Sequence, residues 1–308
     1  METLFITHPS CRLHEMGEWH PESPERLDAI SDQLLTSGLG KFLIEHDDIK
    51  AATREQLERV HDAEYLDWLH QNSPSQGHFN IDPDTSMNPH TLDAALHAAG
   101  AVLYAVDEVA QGRAETAFCS VRPPGHHALP DQAMGFCFLN NVAIGAAHAL
   151  AHYGLERVAV IDFDVHHGNG TEAIFAGDER VLMCSFFQHP LFPGTGAERS
   201  ASNMVNIPVP AYTKGPDIRE IVATHWLPAL EAHRPQMIFI SAGFDSHRED
   251  DLGQLGLVEA DYAWITQQLL AIADRHAHGR VVSALEGGYN LSALGRSVVA
   301  HIKALAKL

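Results

Sequence analysis

Residues 158–171 read VAVIDFDVHHGNGT. The stretch opens as an almost wholly apolar, β-branched run, the pattern of a strand buried on both faces of a parallel sheet. It closes on two aspartates and two histidines, so the run carries titratable groups to the point where it leaves the sheet. Side chains two apart in a strand share a face, and a strand over 158–165 would point Asp162, Asp164 and His166 the same way. Three more apolar runs end alike. Residues 116–121 lead into RPPGHH (122–127), 237–242 into GFDSH (243–247), and 281–285 into EGGY (286–289). In open parallel sheets that carboxyl edge is where ligand sites form.

Working outward, runs at 3–7 and 181–186 complete six expected strands. Between them, apolar residues at helical spacing predict helices at 25–36, 54–70, 89–111, 141–152, 216–233, 259–276 and 291–306, with Pro89 in a first turn. The alternation predicts an α/β fold, a mostly parallel sheet with helices on both faces. There is no repeat and no linker rich in Pro, Gly or Ser, so residues 1–308 read as a single domain.

Composition excludes several classes. Forty Asp and Glu against 20 Lys and Arg leave a net charge of −20. Phosphate backbones need basic counter-charge, so nucleic acid is not an expected partner. No apolar run approaches the ~20 residues of a membrane span, and METLFITHPS at the start lacks the basic and apolar regions of a signal peptide. Cys11, Cys119, Cys137 and Cys184 form no CxxC pair and read as buried hydrophobes of a reducing compartment. A cytoplasmic protein is expected.

The ends of the apolar runs suggest metal chemistry. Asp164 and His166 offer an oxygen and a nitrogen ligand, and Asp245, after another buried strand, offers a third. Three protein ligands leave a position open, as catalytic metal sites do. Two carboxylates and an imidazole suit Zn²⁺ or Fe²⁺. A lone DxH is more often a capping pair, but here one apolar strand ends in two Asp and two His. Near neutral pH, His126 and His127 can act as acid and base, and Tyr289 after Gly287-Gly288 can donate to an oxyanion. Nucleotide-binding glycine loops and a GxSxG elbow are both missing.

Taken in order, RPPGHHA (122–128), MGFCFLNNVAIGA (134–146), VIDFDVHHGNGT (160–171), FPGTG (192–196), SAGFDSHREDDLG (241–253) and LEGGYN (285–290) resemble the histone deacetylase superfamily, of the arginase–deacetylase fold. HPESPERL (20–27) resembles its N-terminal loop. The wording is most similar to the class II branch and the bacterial acetylpolyamine amidohydrolase group, with Asn169 where class I enzymes carry Asp. The resemblance implies that Asp164, His166 and Asp245 bind zinc, and that His127 is the general base with His126 as its electrostatic partner. Asp162 and Asn169 would orient His126 and His127, and Tyr289 would polarise the scissile carbonyl. Phe136 and Phe192 would wall an acyl-lysine tunnel in which the Gly135 carbonyl receives the substrate N–H. It also implies structural K⁺ held by the carbonyls of Asp162, Asp164, His166 and Phe186 with Ser185, and a second K⁺ at Phe175 and Val181. Dimers or tetramers occur among such relatives.

The expected activity is hydrolysis of an acetamide to acetate and a free amine. A binuclear arginase-like hydrolase would need a further Asp where Gly168 stands, and a non-catalytic acetyl-lysine reader would lack Tyr289. Polyamine-specific relatives place Glu at the position of Leu252. Against that, Glu249, Asp250 and Asp251, with Glu15 and Glu18, suggest an acidic rim drawing in a distal ammonium. Small acetylated amines and acetyl-lysine peptides or proteins both stay open as substrates.

Overall fold

The computed structural model describes residues 2–308. Eight strands form one sheet: β1 (Thr3–Ile6), β2 (Leu43–His46), β3 (Thr116–Cys119), β4 (Val158–Asp162), β5 (Val181–Gln188), β6 (Met204–Val209), β7 (Ile238–Ala242) and β8 (Val281–Leu285). Their spatial order is β2-β1-β3-β8-β7-β4-β5-β6. Every pairing in it is parallel. A short antiparallel hairpin, Phe79–Asn80 with Ser86–Met87, stands apart from the sheet. β3, β4, β7 and β8 are buried along their whole length.

This order has a functional consequence. The four strands whose ends carry the titratable loops, β3, β8, β7 and β4, are consecutive neighbours in the middle of the sheet. Being parallel, they release those loops at one edge, side by side. Helices cover both faces. Glu25–Ser37, Glu259–His276 and Leu291–Leu305 pack together on one, Thr91–Ala110 and Asn141–His152 on the other.

Some boundaries differ from the expectation. Both outermost strands, β2 and β6, are absent from the apolar runs. As edges they are only partly buried, and β6 carries Pro208, which an edge tolerates. The helix expected at 54–70 is two, Arg54–Leu57 and Ala63–Asn72. The chain between them extends at Asp62, whose N–H bonds to the carbonyl of Pro130. Pro89 precedes its helix, which begins at Thr91, instead of sitting in the first turn. A short helix, Asn169–Phe175, follows the histidine loop and was not expected. Among the described residues no helix is long and apolar enough to cross a membrane.

Candidate active site

β4 stops at Asp162, so strand alternation does not carry on to Asp164 and His166. The residues converge by another device. The chain turns, and carboxylates hold its amides: Asp164 N–H donates to Asp162 Oδ1 (3.1 Å), His166 N–H to Asp164 Oδ1 (2.9 Å) and Val165 N–H to Asp245 Oδ1 (2.9 Å). The ligating atoms of Asp164, His166 and Asp245 thereby lie within 4.8 Å of one another. His166 Nδ1 is 3.0 Å from Asp164 Oδ1 and 3.1 Å from Asp245 Oδ2. The β8 loop closes over them, with Gly287 N–H donating to Asp164 Oδ2 at 2.9 Å. Any Cβ at Gly287 would come within 2.2 Å of Asp245 Oδ2.

The electrostatics suit a cation. Burial raises the pKa of Asp245 and the charge of Asp164 adds to it. On Asp164 burial also pushes upward, but His126 and His166 outweigh it and hold the carboxyl well down. Burial opposes charge on His166, yet its bonds to both carboxylates raise it to about 10. Two buried carboxylates facing one imidazole nitrogen are costly without a positive partner. The O, O, N donor set fits a divalent ion with an open position.

The loop after β3 supplies two histidines in different states. His126 Nδ1 is 2.9 Å from Asp162 Oδ2 and its Nε2 is 3.8 Å from Asp164 Oδ2. Burial disfavours its charge, but Asp162 and then Asp164 raise its pKa well above the ordinary value. His127 Nδ1 is 2.7 Å from Asn169 Oδ1, an oxygen that can only accept. The proton therefore sits on Nδ1 and Nε2 keeps its lone pair. Burial, reinforced by repulsion from His126 and His166, holds His127 well below the usual histidine range. Two imidazoles pushed in opposite directions thus lie side by side, ring centres 4.0 Å apart.

A cavity of about 240 Å³ reaches these groups. Its walls include His127, His166, Gly135, Phe136, Phe192, Leu252 and Tyr289, but not His126. Phe192 stands edge-on to His127 (5.1 Å) and Phe136 to Tyr289 (6.0 Å). Gly135 has φ +55°, and a Cβ there would meet the His127 ring at 2.5 Å. Burial, then the charge of Asp245, keeps the Tyr289 phenol protonated far above its normal range.

Several residues of the site escaped the sequence reading. Glu286 is buried and its Oε2 accepts the N–H groups of Gly125 (2.6 Å) and His126 (3.1 Å), while Ser241 donates to Oε1 (2.9 Å). Burial brings its pKa to about 7. Arg26 donates to the carbonyls of Glu286 (2.5 Å) and Gly288 (2.7 Å) and lies 5.0 Å over the Tyr289 ring. Leu191 and Asp84 also line the cavity.

The acidic rim is mostly otherwise engaged. Asp250 is buried and accepts from Tyr289 N–H (2.6 Å), Asn290 N–H (2.9 Å) and Leu252 N–H (3.0 Å). Glu249 pairs with Arg296 (2.8 Å) and Glu15 with His78 (2.9 Å). Glu18, Asp84 and Asp251 are exposed.

Among the described residues nothing donates to the main-chain carbonyls of Asp164 and His166. Ser185 Oγ donates to Asn206 (2.9 Å), leaving its lone pairs free. The carbonyls of Phe175 and Val181 instead meet the side-chain amide of Asn203.

A histone deacetylase domain model matches residues 20–305. The chain belongs to the histone deacetylase family. It is 39% identical over 284 residues to a histone deacetylase-like amidohydrolase of Pseudomonas aeruginosa, covering 88% of this chain and 73% of that protein. It is 38% identical to a probable deacetylase of Archaeoglobus fulgidus, covering 94% and 82%. Among solved structures, the HD domain of HDA15 superposes with a TM-score of 0.93 at 34% identity, covering 99% of this chain and 90% of that one. The expected arginase–deacetylase fold is therefore the observed one, and the chain is a deacetylase, a hydrolase of amide bonds. The family is metal-dependent, in keeping with the Asp164–His166–Asp245 cluster.

Proposed function

We propose that residues 1–308 form one catalytic unit that hydrolyses the acetamide of N-acetylated primary amines with Zn²⁺, yielding acetate and the free amine. The observation that carries this reading is a three-donor metal set whose His166 lines one cavity together with His127 and Tyr289. Asp164, His166 and Asp245 hold the ion, and Fe²⁺ suits the same donors. When bound, it supplies a Lewis acid and an acidified water.

The chain's own residues do the rest. His127 takes the proton of the attacking water at Nε2 and returns it to the leaving amine, since His126 does not line the cavity. Asn169 fixes the tautomer of His127. His126, held by Asp162, keeps a positive charge beside it. Tyr289 donates its phenolic proton to the developing oxyanion, an interaction of about 3 kcal/mol for a well-placed donor. The carbonyl of Gly135 accepts the substrate N–H, Phe136 and Phe192 flank the methylenes, and Leu252 closes the side. The carbonyls of Asp162, Asp164, His166 and Phe186 with Ser185 would hold one K⁺. A second divalent ion of the arginase kind is disfavoured, because even a Cβ at Gly168 would lie 2.2 Å from Asp162 Oδ2.

The far end of the substrate is cationic in this reading, drawn by exposed Asp84 at the cavity and by a net charge of −20. Acetylated diamines meet that description directly; acetyl-lysine peptides, neutral at the lysine backbone, are the alternative substrate, and a cytoplasmic setting supplies both. Acetate release by the Zn²⁺-loaded protein should be measured with N-acetylputrescine, N-acetylcadaverine, N⁸-acetylspermidine and an acetyl-lysine peptide. Turnover of at least one, lost in Tyr289→Phe, is expected. No turnover of any, or full activity in that variant, would overturn the mechanism.

A further inference from the structure

The helix Asn169–Phe175 ends at Phe175, and the last carbonyls of a helix lack intrahelical partners. The turn that follows uses one lone pair of each: Asp178 N–H donates to Phe175 O (3.0 Å) and Val181 N–H to Asp178 O (3.0 Å). A carbonyl oxygen has two lone pairs. The second ones, with the carbonyl of Val181, converge. Buried Asn203 sets its Nδ2 at that point, 2.8 Å from Phe175 O, 3.0 Å from Asp178 O and 2.9 Å from Val181 O. Its orientation is fixed, because Oδ1 accepts Gly177 N–H at 2.9 Å. Reversing the amide would aim its oxygen at three carbonyl oxygens.

The resemblance to the family implies a K⁺ ion at Phe175 and Val181, and here the residues do not fit one. A ring of carbonyls binds K⁺ by replacing its hydration shell, which needs free lone pairs around an open centre. Among the described residues no N–H donates to the carbonyls of Asp164 and His166. Those of Phe175, Asp178 and Val181 surround a nitrogen already at bonding distance.

We infer that the Asn203 amide stands in for a cation at this turn, so that the chain carries one alkali-ion site where the resemblance implies two. The turn closes the helix whose first residue, Asn169, orients His127. That support is covalently built in and does not vary with K⁺ concentration.

Tl⁺, whose anomalous scattering marks K⁺ sites, provides the test. In crystals of the metal-loaded protein grown in Tl⁺, no anomalous peak should appear among the carbonyls of Phe175, Asp178 and Val181. A peak should appear there in Asn203→Ala. A wild-type peak with the amide swung out would overturn the inference. So would an Asn203→Ala variant that folds and takes no ion, since the amide would then be a turn cap and nothing more. Melting temperatures in KCl against choline chloride give a second reading. Asn203→Asp sets a carboxylate against three carbonyls and should gain several degrees more from K⁺ than wild type does. Equal K⁺ shifts in the two proteins would count against the inference.

Discussion

The carboxylate of Glu286 accepts the main-chain N–H of His126 at 3.1 Å, behind the imidazole and not at it. The same oxygen takes Gly125 N–H at 2.6 Å. A strand end of β8 therefore fixes the path of the loop that leaves β3, and with it the placing of both histidines. Glu286→Ala removes an acceptor from two buried amides, and a displacement of about 1 Å at a reacting group costs roughly 10²-fold. A loss of that order in kcat/KM is expected, with bound zinc unchanged. Glu286→Gln keeps an oxygen for both amides and should lose less than about tenfold. If both variants matched wild type, the loop would be held elsewhere.

Asp250 does for Tyr289 what Glu286 does for His126. It accepts the N–H groups of Tyr289 and Asn290 on one oxygen and of Leu252 on the other. Tyr289→Phe should lower kcat by about 10²–10³-fold, the usual loss for one oxyanion donor. Asp250→Ala should approach that loss through misplacement of the phenol, and should also lower the melting temperature, which Tyr289→Phe should not. Steady-state kinetics with thermal melts on both variants separates the two effects.

What could be read in the sequence follows the physics of burial. The four central strands are apolar along their length because helices cover both faces, and they stand out as runs. The edge strands β2 and β6 are only partly buried; Glu45 and His46 cut one short, and Asn206 and Pro208 break the other, so no long apolar run forms. Asp162, Asp164 and His166 were grouped by strand alternation, yet what gathers them is a turn pinned by carboxylates. The supporting residues are harder still. Glu286 and Asp250 act on amides that lie 160 and 39 positions away in the chain, and no local pattern encodes such a contact. The signal that marks Glu286 is its place, a lone carboxylate closing the mostly apolar strand 281–285. Asn203 has no such mark, being one polar residue in a polar loop.

Removal of the metal should cost stability as well as activity. Asp164 and Asp245 are buried together, and only His166 stands between them. A ligand at 1,000 times its Kd stabilises the folded state by about 4 kcal/mol. Chelation should lower the melting temperature by several degrees, and re-addition of Zn²⁺ should restore it. Asp245→Asn relieves the repulsion, so its metal-free form should melt above metal-free wild type while gaining little from Zn²⁺. A wild-type melting curve indifferent to chelation would speak against a resident ion at these donors.

Mild acid should also weaken the fold through histidines that do not line the catalytic cavity. His301 is buried with Ser283 Oγ 2.9 Å from Nε2 and Thr266 Oγ1 2.6 Å from Nδ1. Burial depresses its pKa to about 3. His61, buried with its Nδ1 on the carbonyl of Leu129, is depressed by burial to about 4. The unfolded chain takes up these protons near pH 6.5 and the folded chain does not. Below pH 6.5 the unfolded state therefore binds more protons, and acid favours it, down to the folded pKa values. Each histidine contributes up to about 1.4 kcal/mol per pH unit in that window. Above pH 6.5 their contribution is constant. The contribution of these two histidines to the melting temperature should hold above pH 6.5 and decline from pH 6.5 to 5, opposed in that window by Glu286, whose raised pKa of about 7 favours the folded state as acid is added. His301→Gln can bridge the two hydroxyls without titrating, so its curve should start lower at pH 7 and fall less steeply. A variant curve parallel to wild type throughout would mean that His301 charges freely in the fold and that the acid sensitivity arises elsewhere.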